Sequence, residues 1–139
     1  MLPLQTLVDR DGVTKTALQI IIEEALSASV EEICVVICPG DAQVYQAAAG
    51  LHQGRIKLVE QREPMGYGHA LYCAREFAGE EPFLHLISDH LYSSAGLKRN
   101  AQQLVETAMA EGCSMSGVKA TGEEKLPYYG TVGGRLVPK

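Results

Sequence analysis

At 139 residues the chain fits one domain, and a domain near this size buries about 68–70% of the surface its unfolded chain exposes. Apolar residues make up 46% and charged residues 21%, which excludes a disordered tail or a coiled coil. The net charge of −5 argues against a general nucleic-acid binder, which carries a basic face.

Along the chain, helix and strand patterns alternate. Asp11-Gly12 is a turn signal within residues 5–16, which read as a surface loop. Leu18, Ile21, Ile22, Ala25 and Leu26 recur at helical spacing over Thr16 to Ser27, with Thr14 or Thr16 as N-cap. Glu31 to Cys38 is a β-rich strand closed by Pro39-Gly40. Asp41 can cap a helix through Ala49, and Gly50 can end it. Ile56 to Glu60 is a short strand, and residues 70–77 carry apolar side chains at helical spacing. Phe83 to Ile87 is almost continuously apolar, as in a strand covered on both faces. Asn100 to Met109 stripes Leu104, Val105, Ala108 and Met109 along one face; Cys113 to Ala120 reads as a final strand and Thr131 to Val137 as a hairpin. This alternation predicts an α/β fold, a mostly parallel Rossmann-like sheet with helices on both faces.

Cys34, Cys38, Cys73 and Cys113 fall in apolar patterns without CxxC spacing, which suits packed thiols in a reducing compartment. No signal peptide opens the chain and no apolar run reaches membrane-spanning length. The expectation is a soluble, cytoplasmic protein with no membrane partner.

The most informative stretch is Gln61-Arg62-Glu63-Pro64-Met65-Gly66-Tyr67-Gly68-His69-Ala70, followed one helix later by Ser88-Asp89-His90. Gly66 and Gly68 lie between a strand and a helix, where the backbone can approach a ligand closely. Gln61 offers an amide donor and an amide acceptor, the complement of a pyrimidine edge. Asp89 follows an apolar run at the end where open α/β sheets bind ligands. A carboxylate there is a natural Mg²⁺ ligand, bridging to substrate phosphate. Each residue alone is ordinary loop chemistry; together they outline a nucleotide site.

These residues resemble the sugar-phosphate nucleotidyltransferase family, specifically its bacterial enzymes that act on UTP and glucose 1-phosphate. Gln61 with Gly66-Tyr67-Gly68-His69-Ala70 is similar to the family's Gln followed by Gly-Leu-Gly-His-Ala, with Tyr67 in place of Leu. Ser88-Asp89 resembles the strand-end Asp, Tyr128-Tyr129-Gly130-Thr131-Val132 the Tyr-Gly-Val-Val segment, and Met1-Leu2-Pro3 part of the Pro-Lys-x-Met-Leu-Pro element. The resemblance implies formation of UDP-glucose and pyrophosphate from UTP and a sugar 1-phosphate with Mg²⁺. It implies that Gln61 and Gly66 contact the base, within a nucleotide-binding turn that includes Tyr67, Gly68 and His69. Asp89 would bind the metal and act in catalysis, and Tyr129 and Gly130 would line the sugar pocket. Gln61 serves uracil and thymine alike, and the hexose stays open.

The family's Gly-rich phosphate loop, with its Arg and Lys, would precede Met1, and its Glu-Lys-Pro element and second Asp would follow Lys139. The expectation is therefore a single nucleotidyltransferase core fragment over 1–139, impaired in transfer and, lacking a central strand, prone to self-association. His85 is expected to be a packed histidine and His69 to fix the turn by hydrogen bonding. Two other readings stand beside this one: a non-catalytic nucleotide or nucleotide-sugar binding module of the same fold, and an unrelated doubly wound domain whose Gly turn serves packing.

Overall fold

The computed structural model describes residues 2–135. After a 3-10 turn at Leu2–Leu4, β1 (Thr6–Val8) pairs antiparallel with β2 (Thr14–Thr16), Thr6 opposite Thr16. The segment read as a loop is thus a hairpin. One Asp9 carboxylate oxygen accepts from the Asp11 and Val13 N–H groups, both at 2.9 Å, which folds the turn back on itself. Its other oxygen meets Lys15 Nζ at 2.7 Å, and Lys15 reaches Glu23 at 2.8 Å. The hairpin is tied to the next helix by that bridge.

Helix α1 (Ala17–Ser27) starts in a reciprocal capping box: Thr16 Oγ1 accepts from Gln19 N–H, and Gln19 Oε1 accepts from Thr16 N–H. Thr16 Oγ1 also donates to the Ala48 carbonyl at 2.7 Å, joining the start of α1 to the end of α2 (Ala42–Ala49). Asp41 precedes α2 without a side-chain capping bond, and Gly50 ends it at φ +56°. A Cβ at Gly50 would meet the side-chain amide of Gln19. Glycine is favoured there by the left-handed backbone, and any side chain would also displace the Gln19 amide from its place in the capping box.

Between and after these helices run β3 (Ile33–Ile37) and β4 (Ile56–Glu60), paired parallel with Ile33 opposite Ile56 and Ile37 opposite Glu60. A 3-10 segment, Gly50–Arg55, leads into β4. The core gathers Leu18, Ile22, Ile37, Tyr45, Ala48, Ala49 and Ile56, with Leu4, Leu26, Ile33, Val35 and Leu58 packed around them. It is a layer of two helices over one parallel strand pair, α/β in class as expected.

Past β4 come α3 (Tyr67–Cys73), α4 (Arg75–Ala78) and α5 (Asn100–Glu111), then a 3-10 turn at Glu123–Tyr128. Neither Phe83 to Ile87 nor Cys113 to Ala120 forms a strand among the described residues. An apolar run becomes a strand only where a neighbour meets its N–H and C=O groups. Here the Ile87 N–H turns instead to Tyr92 Oη at 3.0 Å, and residues 113–120 are exposed throughout. Residues 131–135 of the expected hairpin carry no strand, and its remainder lies outside the described residues.

Helix α5 packs on α1 with Leu104, Val105 and Ala108 half-buried, but Met109 faces outward. The sequence pattern left out what fastens it. Glu24, buried on α1, accepts the Ala101 N–H at 2.8 Å and lies 3.7 Å from the Arg99 guanidinium. A carboxylate at a helix start meets unpaired N–H groups and the positive end of the helix dipole. Of the cysteines, all four are free; Cys34 and Cys73 are half-buried, whereas Cys38 and Cys113 are exposed rather than packed. No helix among the described residues is long and apolar enough to cross a membrane.

Two outcomes follow from these polar ties. Glu24→Ala strands the Ala101 N–H and the Arg99 charge, and is expected to cost about 1.5–3 kcal/mol, read as a lower urea midpoint with α5 amides exchanging first. The second concerns pH. Lys15, with the Val13 and Asp11 N–H groups, holds the Asp9 carboxyl below the usual carboxylate range. Stability from that pairing is present above the ordinary aspartate pKa of about 3.9 and lost as pH falls through the lowered value. The stability gap between wild type and Asp9→Asn, which keeps an acceptor for the turn, should be constant near neutrality and close under acid. Urea midpoints from neutral to strongly acidic pH decide it; a gap that persists after full protonation refutes the ion-pair account.

Candidate functional site

The parallel pair does not stop at Glu60. The Gln61 N–H donates to the Ile37 carbonyl at 2.8 Å, so Gln61 is seated by the ladder at the carboxyl end of β4. Its side chain is fixed as firmly. Gln61 Nε2 lies 3.0 Å from the Gly66 carbonyl oxygen and 3.1 Å from His69 Nδ1.

Gly66 stands before α3 at φ +91° and ψ −176°, a region open in practice to glycine alone. Its carbonyl also accepts the Ala70 N–H, so a single oxygen closes the turn from two sides. Gly68 sits inside the first turn of α3 with no such demand on its backbone. A Cβ at either glycine would meet nothing within 4 Å, and open space lies over both. His69 is where the sequence reading put it, within the turn's hydrogen bonds, and its Nε2 lies 3.9 Å from Cys73 Sγ one helical turn on.

Tyr67 connects this turn to the apolar run that follows. Its Oη lies 3.0 Å from His85 Nδ1, with ring centroids 5.3 Å apart. His85 is half-buried, and burial pushes its pKa below the usual histidine value. The imidazole is therefore neutral at physiological pH and engaged with Tyr67. This contact was not legible in the sequence, although the tyrosine in place of leucine was its trace. The run carrying His85 leads to Asp89, which is exposed with its carboxylate 3.7 Å from His90 Nδ1. Among the described residues no three metal-ligating side chains converge. Tyr129 and Gly130 are exposed after the last 3-10 turn, and among the described residues no hydrogen bond joins either to Gln61 or the glycine turn.

An open groove of about 240 Å³ runs along the turn, lined by Glu60, Arg62, Glu63, His69 and Cys73. A larger one, about 490 Å³, is lined by Leu26, Ser29, Val30, Glu31, His52 and Arg55. Its residues Val30, Glu31 and Arg55 precede β3 and β4, which places it at the amino ends of the strands. Parallel α/β sheets bind ligands at the opposite end, so the smaller groove is the candidate.

The parallel pair, its covering helices and the glycine turn at the strand end define a small α/β protein of the Rossmann-like class. A family model described as nucleotidyl transferase matches residues 11–133, and the chain belongs to that family. It is 30% identical over 145 residues to a UTP--glucose-1-phosphate uridylyltransferase of Bacillus subtilis (strain 168), an alignment that covers 86% of this chain and 48% of that protein. UTP--glucose-1-phosphate uridylyltransferase 2 of Staphylococcus saprophyticus is 30% identical over 141 residues, covering 85% and 48%. A putative UTP--glucose-1-phosphate uridylyltransferase of Methanocaldococcus jannaschii is 25% identical over 150 residues, covering 91% and 52%. The chain spans about half the length of the curated relatives it matches. No solved structure matches it.

The two glycines separate in a simple test. Gly66→Ala is expected to cost about 1–3 kcal/mol of backbone strain, read locally as faster exchange of the Ala70 amide. Gly68→Ala should leave that exchange unchanged or slow it. Equal effects from both would show that the turn does not depend on the conformation at Gly66.

Proposed function

We propose that this chain forms the base- and sugar-reading part of a nucleotidyltransferase that makes UDP-glucose and pyrophosphate from UTP and glucose 1-phosphate with Mg²⁺. The observation that carries the reading is Gln61, seated at the end of β4 by its backbone and locked onto a glycine turn by its side chain. The names of the relatives support the choice of substrates.

In this reading the Gln61 amide reads the pyrimidine edge, and the open backbone at Gly66 and Gly68 lets the base lie against the turn. Tyr67 and His69 hold the turn in shape. Tyr129 and Gly130 contact the sugar. An oxygen of the sugar phosphate attacks the α-phosphorus in line; the new P–O bond forms as the bond to the β-phosphate oxygen breaks, and pyrophosphate leaves with that electron pair. Such a reaction is accelerated by position and by charge neutralisation.

The donor set near Asp89 fits one mode of metal binding. A single exposed carboxylate suits Mg²⁺, which keeps several waters and takes its remaining ligands from substrate phosphates. When bound, the ion supplies charge neutralisation at those phosphates. Asp89 is its protein ligand.

Calorimetric titration with UTP and with UDP-glucose, each with Mg²⁺ and with ATP as control, tests the reading. Selective binding of the uridine ligands is expected, and Gln61→Ala should weaken UTP about tenfold, the equivalent of 1.4 kcal/mol. Asp89→Asn should remove the Mg²⁺ dependence of UTP binding. Equal affinity for ATP and UTP, or a UTP affinity indifferent to Gln61→Ala, overturns the proposal.

A further inference from the structure

Little of the chain connects Asp89 to the strand-end turn. Residues 82–92 form no helix or strand, and most of their hydrogen bonds are local. The His90 N–H donates to the Ile87 carbonyl at 3.2 Å, a turn with Ser88 and Asp89 at its centre. The Ile87 N–H donates to Tyr92 Oη at 3.0 Å and closes the same loop from its other side. Among the described residues one hydrogen bond joins this segment to residues 61–70, the one between Tyr67 Oη and His85 Nδ1 at 3.0 Å.

Tyr67 is 57% exposed, so its ring is held by the hydroxyl bond and by the tilted contact with the imidazole rather than by burial in the core. An aliphatic side chain at position 67 could make no hydrogen bond to His85. Tyr67 also opens α3 directly after Gly66, whose carbonyl is bound by the Gln61 amide. A continuous path therefore runs from Gln61 through Gly66 and Tyr67 to His85, and on to the turn that presents Asp89.

We propose that Tyr67 and His85 are positioning residues that lock the Asp89 turn to the base-reading turn, so that nucleotide binding at the one is strengthened by Mg²⁺ at the other. The inference rests on the base-reading and metal roles proposed above. A carboxylate on an untethered loop must be ordered before it can share an ion with a phosphate held elsewhere on the protein, and that ordering subtracts from the joint affinity. With the Tyr67–His85 bond formed, the loop is ordered before the nucleotide arrives. The contact acts through the loop alone: it sets how far filling one site helps the other.

The readout is the Mg²⁺ enhancement of UTP binding, the ratio of calorimetric affinities with and without Mg²⁺. Any loss common to both conditions cancels in that ratio, and Mg²⁺ pairing with free UTP is the same for every variant. Tyr67→Phe keeps the ring and removes the hydroxyl; it should lower the enhancement about fivefold, the size of one hydrogen bond. His85→Leu should do the same, and the double variant should fall no further. His85→Asn, whose amide serves either direction of the bond, should retain the enhancement. An enhancement that Asp89→Asn removes and Tyr67→Phe leaves intact overturns the positioning role while the metal role stands. If UTP does not bind, or if the enhancement is indifferent to Asp89→Asn, the proposed function itself fails and the inference falls with it. Amide exchange on the ligand-free chain tests the tether by itself. Tyr67→Phe should speed exchange at Ile87 and His90 and leave the β3–β4 ladder unchanged; exchange at Ile87 and His90 that does not move refutes the tether.

Discussion

The strand-end turn of this molecule hangs on the parallel pairing of β3 with β4. That ladder is only five residues long, yet it sets the direction in which β4 delivers the chain. It continues one residue further, through the Gln61 N–H, before the backbone turns away. Had the pairing ended at Glu60, Gln61 would be a loop residue with free rotation about its backbone. Because the pairing extends, the Gln61 side chain starts from a fixed point and reaches Gly66 and His69 in one conformation. Glycine at position 66 is the second half of the constraint, since no other residue holds φ +91° without strain.

Around that ladder the fold is fastened largely by polar groups acting across elements. Thr16 binds the start of α1 to the end of α2, Lys15 binds the hairpin to α1, and Glu24 binds α5 to α1. The apolar core is small, and Ile22 is its largest fully buried side chain. A small core defines packing poorly by shape alone, so directional bonds set the register of the helices. All three fastenings converge on α1, which therefore acts as the frame to which hairpin, second helix and fifth helix are attached.

Periodicity made α1, α2, β3, β4 and α5 legible because each buries a face against a partner present in the chain. The strand-to-helix turn was equally legible, since Gly66 and Gly68 mark it and Gln61 stands at the strand end. The runs at 83–87 and 113–120 were misread for one reason. Apolar pattern reports what a segment would bury, and it is silent on whether a neighbouring backbone is there to pair with it. The same silence hid Glu24 and the Tyr67–His85 contact, because hydrogen bonds between residues distant in sequence leave no period. Met109 was placed by pattern on the inner face of α5, but the stripe against α1 is narrower than the apolar stripe in the sequence.

His69 illustrates how far a motif can be carried by physics alone. As a letter in a Gly-rich turn it says only that an imidazole follows a glycine. Once its Nδ1 is placed 3.1 Å from an amide nitrogen whose other proton is committed to a carbonyl, the tautomer follows by elimination. The orientation of the amide is fixed beforehand by the Gly66 carbonyl, and it leaves Oε1 facing away from the turn's hydrogen bonds. No part of this chain requires a large energy: each link is one hydrogen bond, worth about 1 kcal/mol net in a folded protein. Its definiteness comes from the alternative, in which two donors or two acceptors face each other within the turn.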